Sequence, residues 1–215
     1  MKKLLLFNVL ILSVMFLNDK EAFAAEIGES KKASVILTQD ESPGANLLSI
    51  TQASNLNFGS KSITLDDLIF KTTEASTIQI TDLRGSAPGW RLSVSLGEFT
   101  STDNKKLSGV QMFYPSANFS TVEGAVNSDI RKPVSVTNSS DISFTDPNVK
   151  GVLLSASSTP SSQVLINAAN EKGNGQWTAT YALDNSIELK VPSGNFAGAY
   201  SANLTYTLTD GPSAT

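Results

Sequence analysis

The sequence predicts an all-β fold, an antiparallel β-sandwich of the Ig-like or a related kind, and three features of the chain point there. Short runs rich in β-branched and aromatic residues recur between turn residues, with no long segment of 3.6-residue period. Two stretches, Trp90–Leu96 and Tyr200–Thr209, alternate apolar and polar residues without a break. Ser and Thr together number 49, while charged residues make up only 17% of the chain. That balance favours hydroxyl-coated strands over helices, because Thr is a strand former and Ser competes with the helix backbone for hydrogen bonds. A chain of 215 residues can bury a proper core.

The elements follow in order. Met1-Lys2-Lys3 begins a leader whose apolar run, Leu4 to Leu17, is interrupted only by Asn8 and Ser13. That run of about 14 residues falls short of the ~20 that a spanning helix needs. Ala22-Phe23-Ala24 supplies the small-x-small pattern read by signal peptidase, so residues 1–24 are expected to be a cleaved signal peptide. Cleavage leaves 13 basic and 18 acidic residues, a net charge of −5. Residues 25–32 read as a polar, flexible lead-in and residues 33–215 as one β domain. Its expected strands are Ser34–Thr38, Leu47–Gln52, Ile63–Phe70, Thr77–Leu83, Trp90–Leu96, Gly109–Tyr114 and Pro133–Thr137. After these come Ile142–Thr145, Val152–Ala156, Gln163–Ala168, Gln176–Leu183, Ile187–Val191 and Ala199–Thr209. Turn residues separate them, as in Asp146-Pro147-Asn148, Gly173-Asn174-Gly175 and Pro192-Ser193-Gly194-Asn195.

Trp90, Leu92, Val94 and Leu96 share one face of their strand, and Tyr200, Ala202, Leu204, Tyr206 and Leu208 share one face of theirs. Trp177, Ala179, Tyr181 and Leu183 repeat the pattern more weakly. Each reads as an antiparallel strand with one face in the core and a hydroxyl-rich face turned to solvent or a partner. Both tryptophans and three of the four tyrosines fall in these segments.

The first of these strands follows Thr81-Asp82-Leu83-Arg84-Gly85, and the last ends at Asp210-Gly211-Pro212. A lone Trp90-Arg91-Leu92 carries no information. Paired with Tyr200-Ser201-Ala202-Asn203-Leu204-Thr205-Tyr206-Thr207-Leu208 and the terminal Pro212, it resembles the two ordered motifs of the WxL-domain surface proteins of low-GC Gram-positive bacteria. The resemblance spans about Ala33–Pro212, including Ala33-Ser34-Val35-Ile36-Leu37-Thr38 and Leu56-Asn57-Phe58-Gly59. It implies non-covalent attachment to the cell wall, to peptidoglycan or another wall polymer, and a membrane-anchored surface protein encoded alongside as a partner. The residues implied are Trp90, Leu92, Tyr200, Leu204, Thr205, Tyr206, Leu208 and Pro212. In the distal motif Tyr206 stands where the family pattern has Trp, which keeps an aromatic face, adds a hydroxyl and loses the larger indole.

For Trp90, stacking on a sugar ring competes with packing between sheets, and its same-face neighbours Leu92, Val94 and Leu96 favour packing. Tyr200 and Tyr206 divide between the same two roles. The two motif strands are expected to lie side by side and shape one surface, with Arg91, Asn203 and Thr205 nearby.

The chain has no His and no Cys. Ser-His or Cys-His nucleophile pairs, His-ligated zinc, disulfides and a lipidated N-terminal cysteine are therefore excluded. Asp66, Asp67, Glu98, Asp103, Asp141, Asp146, Asp184 and Glu188 sit mostly in turn-like contexts, outside any recognisable glycosidase or calcium motif. A net negative charge, with no basic cluster longer than pairs such as Lys31-Lys32 and Lys105-Lys106, argues against nucleic acid as a partner. The chain reads as a secreted, non-catalytic surface protein without cofactor or metal. The alternative is a surface-complex subunit that reaches the wall indirectly, through the membrane-anchored partner.

Overall fold

The computed structural model describes residues 47–121 and 128–212. The leader, the lead-in and the expected strand Ser34–Thr38 lie outside them. In chain order the strands are β1 (Leu48–Ala53), β2 (Leu68–Lys71), β3 (Ser76–Asp82), β4 (Trp90–Leu96), β5 (Thr100–Ser101), β6 (Gln111–Pro115), β7 (Asn118–Thr121) and β8 (Val134–Ser135). They continue with β9 (Asn138–Ile142), β10 (Lys150–Ser155), β11 (Gln163–Ala168), β12 (Gly175–Tyr181), β13 (Glu188–Val191), β14 (Tyr200–Ser201) and β15 (Leu204–Asp210). One helical turn, Ser128–Arg131, and a 3-10 turn, Leu183–Asn185, are the helical pieces among the described residues.

Three sheets result, in the orders β1-β3-β12-β7, β2-β13-β6-β10-β9 and β15-β4-β11-β8, with a short β14-β5 ribbon. Every strand pair among the described residues is antiparallel. The all-β, packed-sheet class read from the sequence is the one observed. Alternation builds the core. β3 turns Ile78 and Ile80 inward, opposite Ala179 and Trp177 of β12. β4 contributes Trp90, Leu92, Val94 and Leu96, none more than 1% exposed. A register shift between Val164 and Ile166 in β11 lets Leu165 and Ile166, adjacent in sequence, both be buried. Met112 and Tyr114 of β6, Val152 and Leu154 of β10, and Leu189 and Val191 of β13 join the same hydrophobic cluster. Three sheets thus share one core, built without a disulfide.

The start of β4 is the tightest point. Gly89 has φ +81, and a Cβ there would run into the Ala168–Ala169 backbone of the neighbouring strand and loop. Trp90 then enters the core at 0% exposure, its indole N–H donating to the Gly173 carbonyl at 3.0 Å. Gly173 lies against that ring so closely that any side chain would overlap it.

The strand boundaries differ from expectation where side chains do something other than alternate. Ile142–Thr145 is not a strand: β9 ends at Ile142, and the next residues wrap a buried carboxylate. Glu188, 3% exposed, accepts from the Ser143 hydroxyl at 2.9 Å, from the Phe144 N–H at 2.7 Å and from the Thr145 hydroxyl. The expected strand Ile63–Phe70 contracts to β2, with Asp67 drawn out to Lys190 at 2.9 Å. Ala199–Thr209 divides into β14 and β15 at Ala202-Asn203, where the Gly97 N–H bonds the Asn203 carbonyl at 2.9 Å.

Candidate functional site

The two motif strands are direct neighbours. β15 pairs with β4 along its whole length, from Leu204 opposite Leu96 to Asp210 opposite Trp90. Among the described residues β15 is the edge of its sheet and β4 an interior strand. That difference decides how accessible each motif is. Trp90 and Leu92 are 0% exposed, so neither presents a face to a ligand. Leu204, Tyr206 and Leu208 are half-buried, Thr205 and Thr207 exposed, and Tyr200 and Pro212 half-buried.

The pairing makes two surfaces. On one face of the sheet Thr205, Thr207 and Thr209 stand opposite Ser95, Ser93 and Arg91, a row of short hydroxyls ended by a guanidinium. The other face of β15 turns Leu204, Tyr206 and Leu208 towards the core, and Leu204 and Tyr206 line a cleft of about 690 Å³. Tyr200 and Asn203 of the distal motif line the same cleft, as do Asn55, Leu56, Asn57 and Phe58 from the segment after β1. Leu96, Phe99, Met112 and Leu189 form its floor. No charged side chain lines it among the described residues. A second cavity of about 240 Å³ shares Tyr200, Phe70 and Leu107 with it and is bordered by Lys61, Asp66, Ile63 and Phe196. Arg91, expected near the distal motif, lies on the hydroxyl face, whereas Asn203 belongs to the cleft.

Tyr206 is held by the core. Its hydroxyl and that of Tyr114 are 2.9 Å apart, and the Tyr114 ring meets the Tyr181 ring edge-on at 5.4 Å. Burial, together with the neighbouring Tyr206, pushes the Tyr114 phenol well above the ordinary tyrosine range. Burial also raises Tyr206, with the Tyr114 hydrogen bond working the other way. The hydroxyl that distinguishes Tyr206 from the family's Trp therefore has a partner inside the protein.

A clamp fastens the ends of both motifs that lie away from the cleft. Arg84 donates Nε and Nη2 to the two oxygens of the Asp82 carboxylate, each at 2.8 Å, and reaches the Gly89 carbonyl at 2.9 Å. Its remaining amine meets the Asp210 carboxylate. Gly211 N–H bonds the Gly89 carbonyl at 3.1 Å, and Arg91 donates to the Pro212 carbonyl at 3.2 Å. The Thr-Asp-x-Arg-Gly run and the Asp-Gly-Pro end are thus two halves of one fastening. The pairing of a short-range Asp-x-Arg with a distant Asp could have suggested it. Tyr114 gave no comparable signal, because its role appears only when β6 packs under β15.

No curated protein and no solved structure matches the chain. A family model described as WxL domain surface cell wall-binding matches residues 32–212, which takes in both motif strands, the cleft and the clamp, and the chain belongs to that family of cell-wall-binding surface domains.

Proposed function

We propose that the chain is exported with loss of residues 1–24 and that residues 33–215 act as one domain that holds it to the peptidoglycan of a Gram-positive wall, non-covalently and without catalysis. The observation that carries this reading is the convergence of Tyr200, Asn203, Leu204 and Tyr206, all from the distal motif, on one uncharged cleft. A concave site of this size, lined about equally by apolar surface and by uncharged polar groups, suits recognition of a small unit of a polymer. Trp90 and Leu92 anchor the interior strand β4 on which the edge strand is laid, and Thr205, Leu208 and Pro212 belong to that edge strand and its end. Retention of the purified protein on protein-free sacculi tests the reading. Pelleting with the sacculi is expected, and a protein left wholly in the supernatant overturns it.

A second reading, attachment through a membrane-anchored partner protein, draws on a different surface. Ile63 (53%), Leu65 (97%) and Phe196 (73%) are strongly exposed, and Ile63 and Phe196 border the smaller cavity. Large apolar side chains gathered at a surface suit a protein partner. Retention on sacculi only when that partner is co-expressed favours this reading.

A further inference from the structure

The 690 Å³ cleft has a chemical character specific enough to name its ligand. Its walls carry amides, hydroxyls and apolar side chains but no charge among the described residues. An anionic wall polymer, such as a polyol phosphate, would lose water there with no cation in the described lining to receive it, which is unfavourable. A neutral sugar meets the opposite conditions. Its C–H face matches the half-buried Leu56, Phe58, Phe70 and Leu204, and its hydroxyl and acetamido groups match the rim. Two rim side chains are available for that purpose: among the described residues the exposed amides of Asn55 and Asn203 have no hydrogen-bond partner, whereas Asn57 accepts from the Gly59 N–H at 2.9 Å. Each free amide offers both a donor and an acceptor, the complement of an acetamido group, whose methyl the nearby Leu56 and Phe58 can cover.

Tyr200 sets the direction of the chain. It lines both this cleft and the smaller cavity, and so stands at their junction. Its hydroxyl donates to the Phe196 carbonyl at 3.1 Å, and its backbone pairs with Ser101 in the β14-β5 ribbon. A ring held at both ends is a rigid, amphipathic platform whose ordering cost is met before binding.

We infer that the cleft is a binding site for an uncharged N-acetylated hexosamine unit of a glycan strand, with Asn55 and Asn203 contacting the acetamido group and the Tyr200 ring as the platform over which the strand continues. The inference rests on the wall-binding reading and adds to it the site, the sugar class and the residues.

The test is calorimetric titration of the exported chain with a β-1,4-linked N-acetylglucosamine tetramer and, separately, with a glycerol phosphate polymer. The tetramer is expected to bind and the phosphate polymer not to. Tyr200→Ala should weaken tetramer binding at least about tenfold and Asn203→Ala about threefold or more, while Tyr200→Phe, which keeps the ring and loses the hydroxyl tether, falls between wild type and Tyr200→Ala. Asn203 is exposed and its amide bonds no other described residue, so Asn203→Ala keeps the test decisive if Tyr200→Ala fails to fold. A wild type that ignores the tetramer, or two folded variants that bind it undiminished, overturns the inference. The two failures are distinguishable: retention on sacculi without tetramer binding removes the cleft assignment alone, and loss of sacculus retention removes wall binding itself.

Discussion

At the scale of single residues, the motif aromatics divide by depth rather than by type. Trp90 is fully enclosed, with its indole N–H spent on Gly173, so its work is structural. Trp90→Ala is expected to cost about 3–5 kcal/mol, read as a lower urea midpoint, since it removes a large core side chain and leaves a cavity. Tyr206 lies nearer the surface and depends on Tyr114 for its hydroxyl bond. Tyr114→Phe leaves that hydroxyl unpaired in a half-buried place and should cost about 1–2 kcal/mol. The same pair sets an alkaline limit. Burial raises both phenols above their unfolded value of about 10. The stability they confer is therefore full below about pH 10 and is lost as pH rises through the raised folded values, where the unfolded chain releases its protons first. The melting temperature should fall steeply above about pH 10 in the wild type and less steeply in the Tyr114→Phe, Tyr206→Phe double variant, followed by circular dichroism.

At the scale of elements, the β4–β15 pair depends on the clamp at its far end. Arg84 neutralises Asp82, which is 2% exposed, and reaches across to Asp210, whose side chain is 73% exposed. Arg84→Ala strands a buried carboxylate and should cost about 3–5 kcal/mol, whereas Asp210→Ala removes only a solvated partner and should cost less than about 1 kcal/mol. Arg84→Lys is not a rescue, because an ammonium cannot hold both carboxylate oxygens and the Gly89 carbonyl in one plane. Equilibrium urea denaturation of the three variants checks the order. The same sheet shows what could be read beforehand. Trp90–Leu96 and Gln163–Ala168 emerged with the expected bounds because their apolar residues mark the inward face. β7, Asn-Phe-Ser-Thr, was not foreseen: it is short and largely polar, and it is a strand because β12 offers its edge to residues 118–121. β9, Asn138–Ile142, was displaced in the reading for the same reason, since Ile142 looked like the start of a strand and is its end. In the candidate site, the distal motif was legible as an alternating strand. The opposing wall, Asn55 to Phe58, contains Leu56-Asn57-Phe58 of the family resemblance, but its place opposite β15 was not legible, because nothing in a sequence says which loop a distant strand will face.

At the scale of the whole molecule, charge and attachment have to be reconciled. The chain carries a net charge of −4, and under the proposed function it becomes −5 on loss of residues 1–24 and meets a Gram-positive wall that is itself anionic. Long-range attraction is therefore unavailable, and the protein must approach its polymer against a weak repulsion. An uncharged cleft answers this, since stacking, hydrogen bonds and shape act only at contact and are little affected by ions. The consequence is a salt dependence of small size and particular sign. Raising NaCl from about 0.05 to 0.5 M shortens the Debye length from roughly 14 to 4 Å and screens the repulsion. Binding to purified sacculi should change by less than about twofold, and in the direction of tighter retention. A pelleting assay across that range distinguishes this from ionic attachment. If moderate salt releases the protein, cations such as Lys105 and Lys106 carry the contact and the neutral cleft does not.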